Sequence, residues 1–211
     1  MKTVYLVRHG ESEGNARKFF QGRDTPLTEK GLQQASILAD RCKSIEFNLL
    51  ISSSMVRAKQ TAEAISKASG KSVALSELFI ERMRPSELIG KPIGDPVAEI
   101  LEVSWEKSLL QEGSKISDGE NFAEIKSRAA SALGYLERCE ENKILVVTHG
   151  FFLRTLMGCI IFGQNMTGPE LASLLHAFPT DNTGITVITN NSRSPISNWC
   201  VRTFNDHAHL G

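Results

Sequence analysis

The chain has 211 residues, which is ample for one α/β domain and short for two, so we expect a single domain over residues 1–211. Its 24 basic and 24 acidic side chains cancel at pH 7, which argues against a global attraction to nucleic acid or to an anionic membrane surface. The most apolar window, Phe151 to Phe162, is too short to cross a bilayer and contains Arg154. We therefore expect neither a nucleic-acid partner nor a membrane partner.

The cysteines indicate the compartment. All four are widely spaced, with no pair at a metal-binding or redox spacing, and three fall on apolar faces of predicted helices or strands. They are most simply reduced core residues. The N-terminal apolar run is also interrupted by Arg8 and His9, where a signal peptide would continue. These features predict a cytoplasmic protein with the thiols Cys42, Cys139, Cys159 and Cys200.

The first predicted element is a buried strand at residues 3–7, rich in β-branched and aromatic types and followed at once by Arg8 and His9. After it, helical spacing alternates with short apolar runs. Thr28 is the predicted N-cap of the first helix, and Ser69-Gly70 ends the second. The predicted elements are strand 3–7, helix 28–43, strand 47–51, helix 55–69, strand 72–75, helices 97–110 and 122–136, strand 144–147, helix 151–162, a helical turn at 171–175, and strands 184–189 and 196–204.

Strands that alternate with helices predict an α/β fold, here a three-layer α/β/α sandwich with a mostly parallel central sheet. The last two strands, around a turn at 190–195, predict a hairpin at the sheet edge, which leaves a homodimer open. Residues 77–96 are irregular, with three prolines and two glycines, and such a segment is typically a site loop. Asp118 is the predicted cap of the helix at 122–136.

Two strands end in the same way, in Arg8-His9-Gly10 and in Thr148-His149-Gly150. Ligands of open α/β sheets bind beyond the carboxyl ends of the strands, so parallel strands would place both imidazoles on one rim. Arg57 starts the helix after the second strand, where backbone amides favour an anion. Arginine grips phosphate through paired hydrogen bonds, and imidazole can attack phosphorus. The sequence therefore predicts a phosphate pocket with nitrogen nucleophiles beside it.

These residues resemble a known family, the histidine phosphatases, also called the phosphoglycerate mutase-like superfamily. The matching segments follow the family's order over about the first three-quarters of the chain, and residues 205–210 look like endings of bacterial members. Each motif alone is weak, and together they are specific. The segments are 8–12 with Asn15, 22–31, 53–62 with Arg57, and 147–150.

The resemblance implies a role for each matching residue. His9 would be the phosphorylated nucleophile, while Arg8, Arg57 and His149 would hold the phosphoryl group and its developing charge. No metal or other cofactor is implied, because the arginines neutralise the charge that magnesium neutralises elsewhere. Family members often place further substrate contacts at the positions of Asn15, Gln21 and Gly22.

The proton donor is carried over with a departure from the family's pattern. The family takes this proton from a glutamate after the third strand, and Glu81 is the best match, with Glu77 and Glu87 as weaker candidates. The glycine- and tryptophan-containing run that often follows is replaced here by residues 84–91. This change suggests a different leaving-group pocket, in which Arg82 or Arg84 would reach a second anionic group.

Four other polar residues have two interpretations. His176 is expected to be structural, and Asn182 is either a turn residue or a pocket residue. His207 and His209 are expected to be tail residues, although the resemblance allows the tail to fold over the site.

We therefore expect a phosphatase that acts on small phosphorylated metabolites. One alternative is a phosphoglycerate mutase, which passes the phosphoryl group to a sugar-acid hydroxyl. Another is a binding module that kept the pocket and lost turnover. A third is a phosphohistidine-protein phosphatase, whose members tend to be smaller and to lack the loop after the third strand.

Overall fold

The computed structural model describes residues 1–111, 113–190 and 196–211, which form a single twisted sheet covered by helices. Six strands lie in the spatial order third, second, fourth, first, fifth and sixth. The first four are mutually parallel, whereas the fifth pairs antiparallel with the first and the sixth antiparallel with the fifth. The strands are β1 (Lys2–Arg8), β2 (Leu49–Ser53), β3 (Val73–Ser76), β4 (Lys143–Thr148), β5 (Ile185–Asn190) and β6 (Trp199–Asp206).

The predicted edge hairpin is confirmed as the antiparallel pair of β5 and β6. Residues 191–195, most of its predicted turn, lie outside the described residues. None of the helices in the described ranges is long and apolar enough to span a membrane. The helices are α1 (Glu13–Arg17), α2 (Glu29–Cys42), α3 (Val56–Ser69), α4 (Pro96–Lys107), α5 (Phe122–Arg138), α6 (Gly150–Phe162) and α7 (Gly168–Ala177).

Alternation along β1 separates the helices into two layers. Val7 points to one face, where it joins the buried apolar residues of α2 and α3, including Leu38. Leu6 points to the other face and joins the buried residues of α5 and α6, including Ile125 and Phe152. Successive strand side chains face opposite sides of a sheet, so each face requires its own cover of helices. The three-layer α/β/α sandwich is therefore confirmed.

Capping side chains mark the N-termini of helices α2, α4, α5 and α7. The Thr28 hydroxyl accepts a hydrogen bond from the Gly31 N–H at 2.9 Å, as the sequence predicts. The prediction for Asp118 is wrong. Asn121 caps α5 instead, because it forms a reciprocal pair with Glu124 in which each side chain accepts from the other's backbone N–H at 2.9 Å. The Asp118 carboxylate accepts from the Ser86 N–H at 2.8 Å and so ties the segment before α4 to the loop before α5.

Two glycines bring the N-terminus of α2 against the loop that follows β1. A Cβ atom on Gly31 would lie 1.9 Å from the Glu11 carbonyl oxygen, and one on Gly10 would lie 2.5 Å from the Gly31 carbonyl oxygen. Both distances are far inside van der Waals contact, so only glycine fits at either position. The backbone that follows His9 therefore packs tightly against the N-terminus of α2.

The four cysteines are free thiols. Cys42 and Cys159 are buried, one in each apolar layer. Burial raises the pKa of Cys42 to about 12 and that of Cys159 to about 11, so both remain protonated at neutral pH. They behave as small apolar core residues.

Candidate active site

The parallel pairing of β1 with β4 brings the two histidines together. Arg8 lies in register with Thr148, and the His9 N–H donates to the Thr148 carbonyl oxygen at 3.0 Å. The imidazole centroids of His9 and His149 are therefore only 5.0 Å apart, at an interplanar angle of 62°. Both rings are buried, and both follow the carboxyl ends of their strands. The structure thus places the two imidazoles on one rim of the sheet.

The hydrogen bonds of His9 define its tautomer. Its Nδ1 lies 2.6 Å from the Gly10 carbonyl oxygen, which can only accept, so Nδ1 carries the proton. Its Nε2 accepts a hydrogen bond from Arg57 Nε at 3.2 Å and so presents a lone pair. Burial, and then the charges of Arg57 and Arg8, hold the pKa of His9 well below its usual range. At neutral pH this imidazole is uncharged, and Nε2 is its unprotonated nitrogen, the one that can act as a nucleophile once a bound anion takes over the hydrogen bond from Arg57.

Two guanidinium groups flank His9. Arg57, in the first turn of α3, is 3 % exposed and donates through one terminal nitrogen to the Gly22 carbonyl oxygen at 2.8 Å. Burial lowers its pKa to about 10, so it remains charged at pH 7. Arg8 donates to the Thr180 carbonyl oxygen, and its Nε has no hydrogen-bond partner in the described part of the chain. A buried donor without a partner is available to a bound anion.

His149 lies behind the cavity surface. It is fully buried, and its Nε2 is 2.8 Å from the Ser53 hydroxyl oxygen. The same oxygen accepts from the Met55 N–H at 3.2 Å. The opposite ring nitrogen, Nδ1, has no partner among the described residues. Burial, followed by the charge of Arg57, holds the pKa of His149 well below its usual range, so this ring is also neutral.

Glu81 lies at the N-terminus of α6. One carboxylate oxygen accepts from the backbone N–H groups of Arg82 and Phe152, both at 3.0 Å, and the other from the Phe151 N–H at 3.3 Å. Phe151 and Phe152 belong to the first turn of α6, where unpaired N–H groups attract an anionic side chain. The loop that carries Glu81 is therefore tied directly to the helix that follows His149.

The other two candidate glutamates are placed elsewhere. Glu77 is exposed and pairs with Arg23, with an N–O distance of 2.6 Å. Glu87 is also exposed and accepts from the Ser117 hydroxyl at 2.7 and 2.9 Å. Neither lines the cavity that contains His9, whereas Glu81 does.

A cavity of about 640 Å³ opens beside His9. Its inner end is formed by Arg8, His9, Arg57 and Glu81, and the predicted contacts Asn15, Gln21 and Gly22 also line it. The side-chain oxygens of Asn15 and Gln21 lie 2.8 and 2.7 Å from the Ser12 hydroxyl oxygen, so their NH₂ groups are left for other partners. Its outer wall is formed by Met83, Arg84, Ser86 and Ile89.

Arg82 and Arg84, the two candidates for contact with a second anionic group, both line the cavity but have different surroundings. Arg82 is buried, stacks 3.6 Å above the Trp105 ring and donates to the carbonyl oxygens of Trp105 and Glu120, each at 3.0 Å. Burial lowers its pKa to about 10. Its donors hold backbone at the edge of the cavity. Arg84 lines the outer wall, with one terminal nitrogen 3.4 Å from the Glu102 carboxylate.

Sequence reasoning missed Arg154 as a cavity residue. It donates to the Gly150 carbonyl oxygen at 2.9 Å and to the Leu175 carbonyl oxygen at 2.6 Å, and it lines the cavity near Arg8 and Glu81. Helix geometry contains the signal, because position 154 is four residues after Gly150 and returns to the same face of α6.

The C-terminal tail packs against α2, and none of its residues lines the cavity. His209 Nδ1 lies 3.0 Å from a guanidinium nitrogen of Arg41, and its Nε2 lies 3.1 Å from the Thr183 hydroxyl oxygen. His207 Nδ1 is 3.5 Å from a carboxylate oxygen of Asp181 at the exposed surface. His176 is exposed on α7.

Asn182 supports the nucleophile without lining the cavity. Its side-chain amide donates to the His9 carbonyl oxygen at 2.9 Å. The neighbouring Thr183 N–H donates to the Arg8 carbonyl oxygen at 2.9 Å. The turn before β5 therefore fixes the backbone of the two residues that end β1.

A doubly covered α/β sheet with paired histidines and arginines at its strand ends defines a class of proteins that handle phosphate esters. The comparison with known families agrees, since residues 4–202 match the histidine phosphatase superfamily, branch 1. The chain belongs to this superfamily.

Relatives at the sequence level are named mutases. A probable phosphoglycerate mutase GpmB from Salmonella arizonae is 36 % identical over 218 residues, covering all of this chain and 95 % of the relative. The protein of the same name from Photorhabdus laumondii is 38 % identical over 168 residues, covering 76 % of this chain and 75 % of the relative.

Structural neighbours include a phosphatase. Bacillus stearothermophilus YhfR superposes with a TM-score of 0.81 at 27 % identity, covering all of both chains. A phosphoserine phosphatase mutant from Entamoeba histolytica, in complex with phosphoserine, superposes with a TM-score of 0.77 at 28 % identity, again over both full chains. The comparisons therefore support an enzyme of the phosphatase and mutase type, with hydrolysis and phosphoryl transfer as the two candidate reactions.

Proposed function

We propose that this chain is a metal-independent phosphatase that hydrolyses small phosphomonoesters through a phosphohistidine intermediate on His9. The observation that carries the proposal is the state of His9. Its Nδ1 is fixed by a carbonyl oxygen, and its Nε2 is unprotonated and 3.2 Å from Arg57 Nε. Glu81 and Arg8 line the same cavity. A nucleophile, two anion-binding cations and a carboxyl group are therefore available to one bound ester.

In the first step, the Nε2 lone pair of His9 forms a bond to phosphorus as the bond to the ester oxygen breaks. The leaving oxygen takes a proton from the Glu81 carboxyl group and departs as an alcohol. Arg8 and Arg57 hold the equatorial phosphoryl oxygens and stabilise the charge that develops on them. In the tautomer whose Nε2 accepts from the Ser53 hydroxyl, the unpaired Nδ1 of His149 supplies a further donor behind the same group.

In the second step, water attacks the phosphohistidine. The Glu81 carboxylate accepts a proton from the water as the oxygen–phosphorus bond forms and the nitrogen–phosphorus bond breaks. This returns His9 to its starting tautomer and Glu81 to its acid form. The first step therefore requires a proton on Glu81.

The cavity suggests the class of substrate. Arg84 on the outer wall, which also contacts the Glu102 carboxylate at 3.4 Å, and Arg154 beside the inner end add positive charge to that of Arg8 and Arg57. A leaving group with a second anionic function, such as a carboxylate, would match this arrangement. The phosphoserine in the complex of the Entamoeba histolytica relative is a phosphomonoester of this kind.

Phosphoglycerate mutase activity is the second candidate, and the names of the relatives favour it. Chain length does not separate the two reactions, because this chain spans 95 % of a relative named as a mutase. The test is an assay of 3-phosphoglycerate with and without a bisphosphate primer. Release of inorganic phosphate without primer supports the phosphatase, whereas primer-dependent formation of 2-phosphoglycerate supports the mutase.

The test of the intermediate uses a radiolabelled phosphomonoester and acid-labile phosphoenzyme as the readout. We expect label on the wild-type chain and none on His9→Ala. The assay contains EDTA, so that metal-independent turnover is measured at the same time. A chain that binds the ester but never becomes labelled would instead be a binding module.

The proposal includes a cytoplasmic location, because reduced, unpaired cysteines are typical of that compartment.

A further inference from the structure

We propose that Arg128, together with Glu120, positions Glu81 for proton transfer by holding the backbone on both sides of it. This proposal rests on the proposed function, because it takes Glu81 to be the acid. Arg128 lies on α5 and does not line the cavity. It acts through another residue and is therefore a positioning residue.

The guanidinium of Arg128 donates to three carbonyl oxygens, two in the segment before Glu81 and one of Glu81 itself. One terminal nitrogen donates to Leu78 at 3.1 Å and to Ile80 at 2.8 Å, and the other donates to the Glu81 carbonyl oxygen at 3.3 Å. The same group stacks 4.2 Å from the centre of the Phe152 ring. Phe152 also donates its backbone N–H to the Glu81 carboxylate. Arg128 thus contacts both the backbone of Glu81 and the residue that orients its side chain.

Glu120 holds the backbone that follows Glu81. Its two carboxylate oxygens accept from Arg128 at 2.8 and 2.7 Å in a bidentate pair, and the two side chains are only 11 % and 14 % exposed. One of these oxygens also accepts from the Met83 N–H at 3.2 Å. The Arg128–Glu120 pair therefore holds carbonyl groups before the acid and an N–H group after it. Bidentate, charge-assisted hydrogen bonds of this kind fix geometry as well as contributing energy.

The segment requires such support because regular structure provides none. Two short 3₁₀ turns, Glu77–Phe79 and Ser86–Leu88, flank it, and residues 80–85 belong to no helix or strand. Buried backbone groups in such a segment need partners from elsewhere. Proton transfer also depends on placement, since a misplacement of about 1 Å costs on the order of 10²-fold in rate. The hydrogen bonds of the Arg128–Glu120 pair hold the backbone directly before and after Glu81.

The experiment compares two leaving groups in each variant. p-Nitrophenoxide departs readily without a proton, whereas the alkoxide of glycerol 2-phosphate needs one. The ratio of kcat/KM for glycerol 2-phosphate to that for p-nitrophenyl phosphate therefore reports on acid catalysis. The ratio does not depend on how much of a variant is folded, because both substrates meet the same active fraction. General acid catalysis contributes on the order of 10²- to 10⁴-fold.

The variants are Glu81→Gln, Arg128→Lys and Glu120→Gln, with Lys126→Met as the matched control. Lys126 lies on the same helix and likewise donates to two carbonyl oxygens, those of Gln164 at 2.7 Å and Met166 at 2.8 Å, away from the cavity. We expect the ratio to fall on the order of 10²-fold in Glu81→Gln and about 10-fold in Arg128→Lys and Glu120→Gln. We expect no change in Lys126→Met. Glu81→Gln combined with Arg128→Lys should match Glu81→Gln alone, because both changes remove the same contribution.

Each outcome decides one of the two proposals. If Glu81→Gln lowers the ratio and Arg128→Lys and Glu120→Gln do not, the pair is merely structural and the positioning proposal fails. If Glu81→Gln leaves the ratio unchanged, Glu81 is not the acid and the proposed function fails in that part. An equal fall of the ratio in Lys126→Met would show that any weakening of α5 has this effect, and would also overturn the positioning role.

Discussion

Apart from Glu81, the inner end of the cavity is built from a different part of the fold than the outer wall. At the inner end, His9 follows β1, Arg57 starts α3 directly after β2, and His149 behind them follows β4. Adjacent parallel strands leave little freedom in where such residues lie. His9 and Arg57 are each 3 % exposed.

The outer wall instead comes from the irregular segment between β3 and α4. There Ile89 is 43 % exposed, and the Arg84 side chain is 32 % exposed. Loop residues change with little cost to the core. In the proposed reaction, the nucleophile and the cations that bind the phosphoryl group are therefore set by the strand ends, whereas the proton donor Glu81 and the contacts to the leaving group come from the loop.

The largest expected effect is on the nucleophile. His9→Ala removes the only atom that can carry the phosphoryl group in this mechanism, so kcat should fall on the order of 10⁴-fold or more for every ester. Steady-state assays with p-nitrophenyl phosphate and glycerol 2-phosphate measure this. An unchanged circular dichroism spectrum is the control for folding. If His9→Ala kept the wild-type ratio of activities on the two esters at a measurable rate, another group would be the nucleophile.

Arg57→Gln should have the next largest effect, on the order of 10²- to 10³-fold in kcat/KM, because it removes a donor aimed at the developing charge. It should also change the acid limb of the pH profile. Burial, and then the charge of Arg57, holds the pKa of His9 well below 6.5, so wild-type activity persists as the pH falls below 6.5 and is lost only at lower pH. Without that charge the pKa of His9 rises, and the loss on the acid side begins at higher pH.

The control for this shift is Arg41→Gln, which removes a guanidinium that pairs with Asp206 away from the cavity. Its acid limb should coincide with that of the wild type. If Arg57→Gln also left the acid limb in place, the charge of Arg57 would not govern the protonation of His9.

A smaller and selective effect is expected at the outer wall. Arg84→Gln should raise KM about 10-fold for esters whose leaving group carries a carboxylate, because one charge-assisted hydrogen bond is worth about 1.5 kcal/mol. The kcat for p-nitrophenyl phosphate, whose leaving group lacks a carboxylate, should change little. A loss of kcat shared by both kinds of ester would contradict the separation between the two ends.

The smallest effect should be on stability alone. Thr167 caps α7, because its hydroxyl accepts from the Glu170 N–H at 3.4 Å while the Glu170 carboxylate accepts from the Thr167 N–H at 2.7 Å. Thr167→Ala should lower the free energy of unfolding by about 1 kcal/mol, which corresponds to a fall in Tm of about 2–4 °C. The ratio of activities on different esters should not change. A change in that ratio would show that selectivity follows general stability rather than the outer wall.

The sequence predicts the inner end better than the outer wall, for a physical reason. His9 and His149 converge because two apolar strands end in the same short pattern, and pairing of parallel strands does the rest. Glu81 needed the family resemblance, because nothing local distinguishes it from Glu77 or Glu87 before α6 is placed beside it. Asp118 was misread because Asn121 has a glutamate three residues later and forms the better cap. Arg154 and the docking of the tail depend on tertiary contacts between distant segments.

The contact between Arg128 and the segment before Glu81 is made through main-chain oxygens. Hydrogen bonds to the main chain do not depend on which side chains the segment carries. Neighbouring positions can therefore vary while the Glu81 carboxyl group stays in place. Directed evolution toward new esters should therefore randomise Met83, Arg84, Ser86 and Ile89, and leave Glu120 and Arg128 untouched.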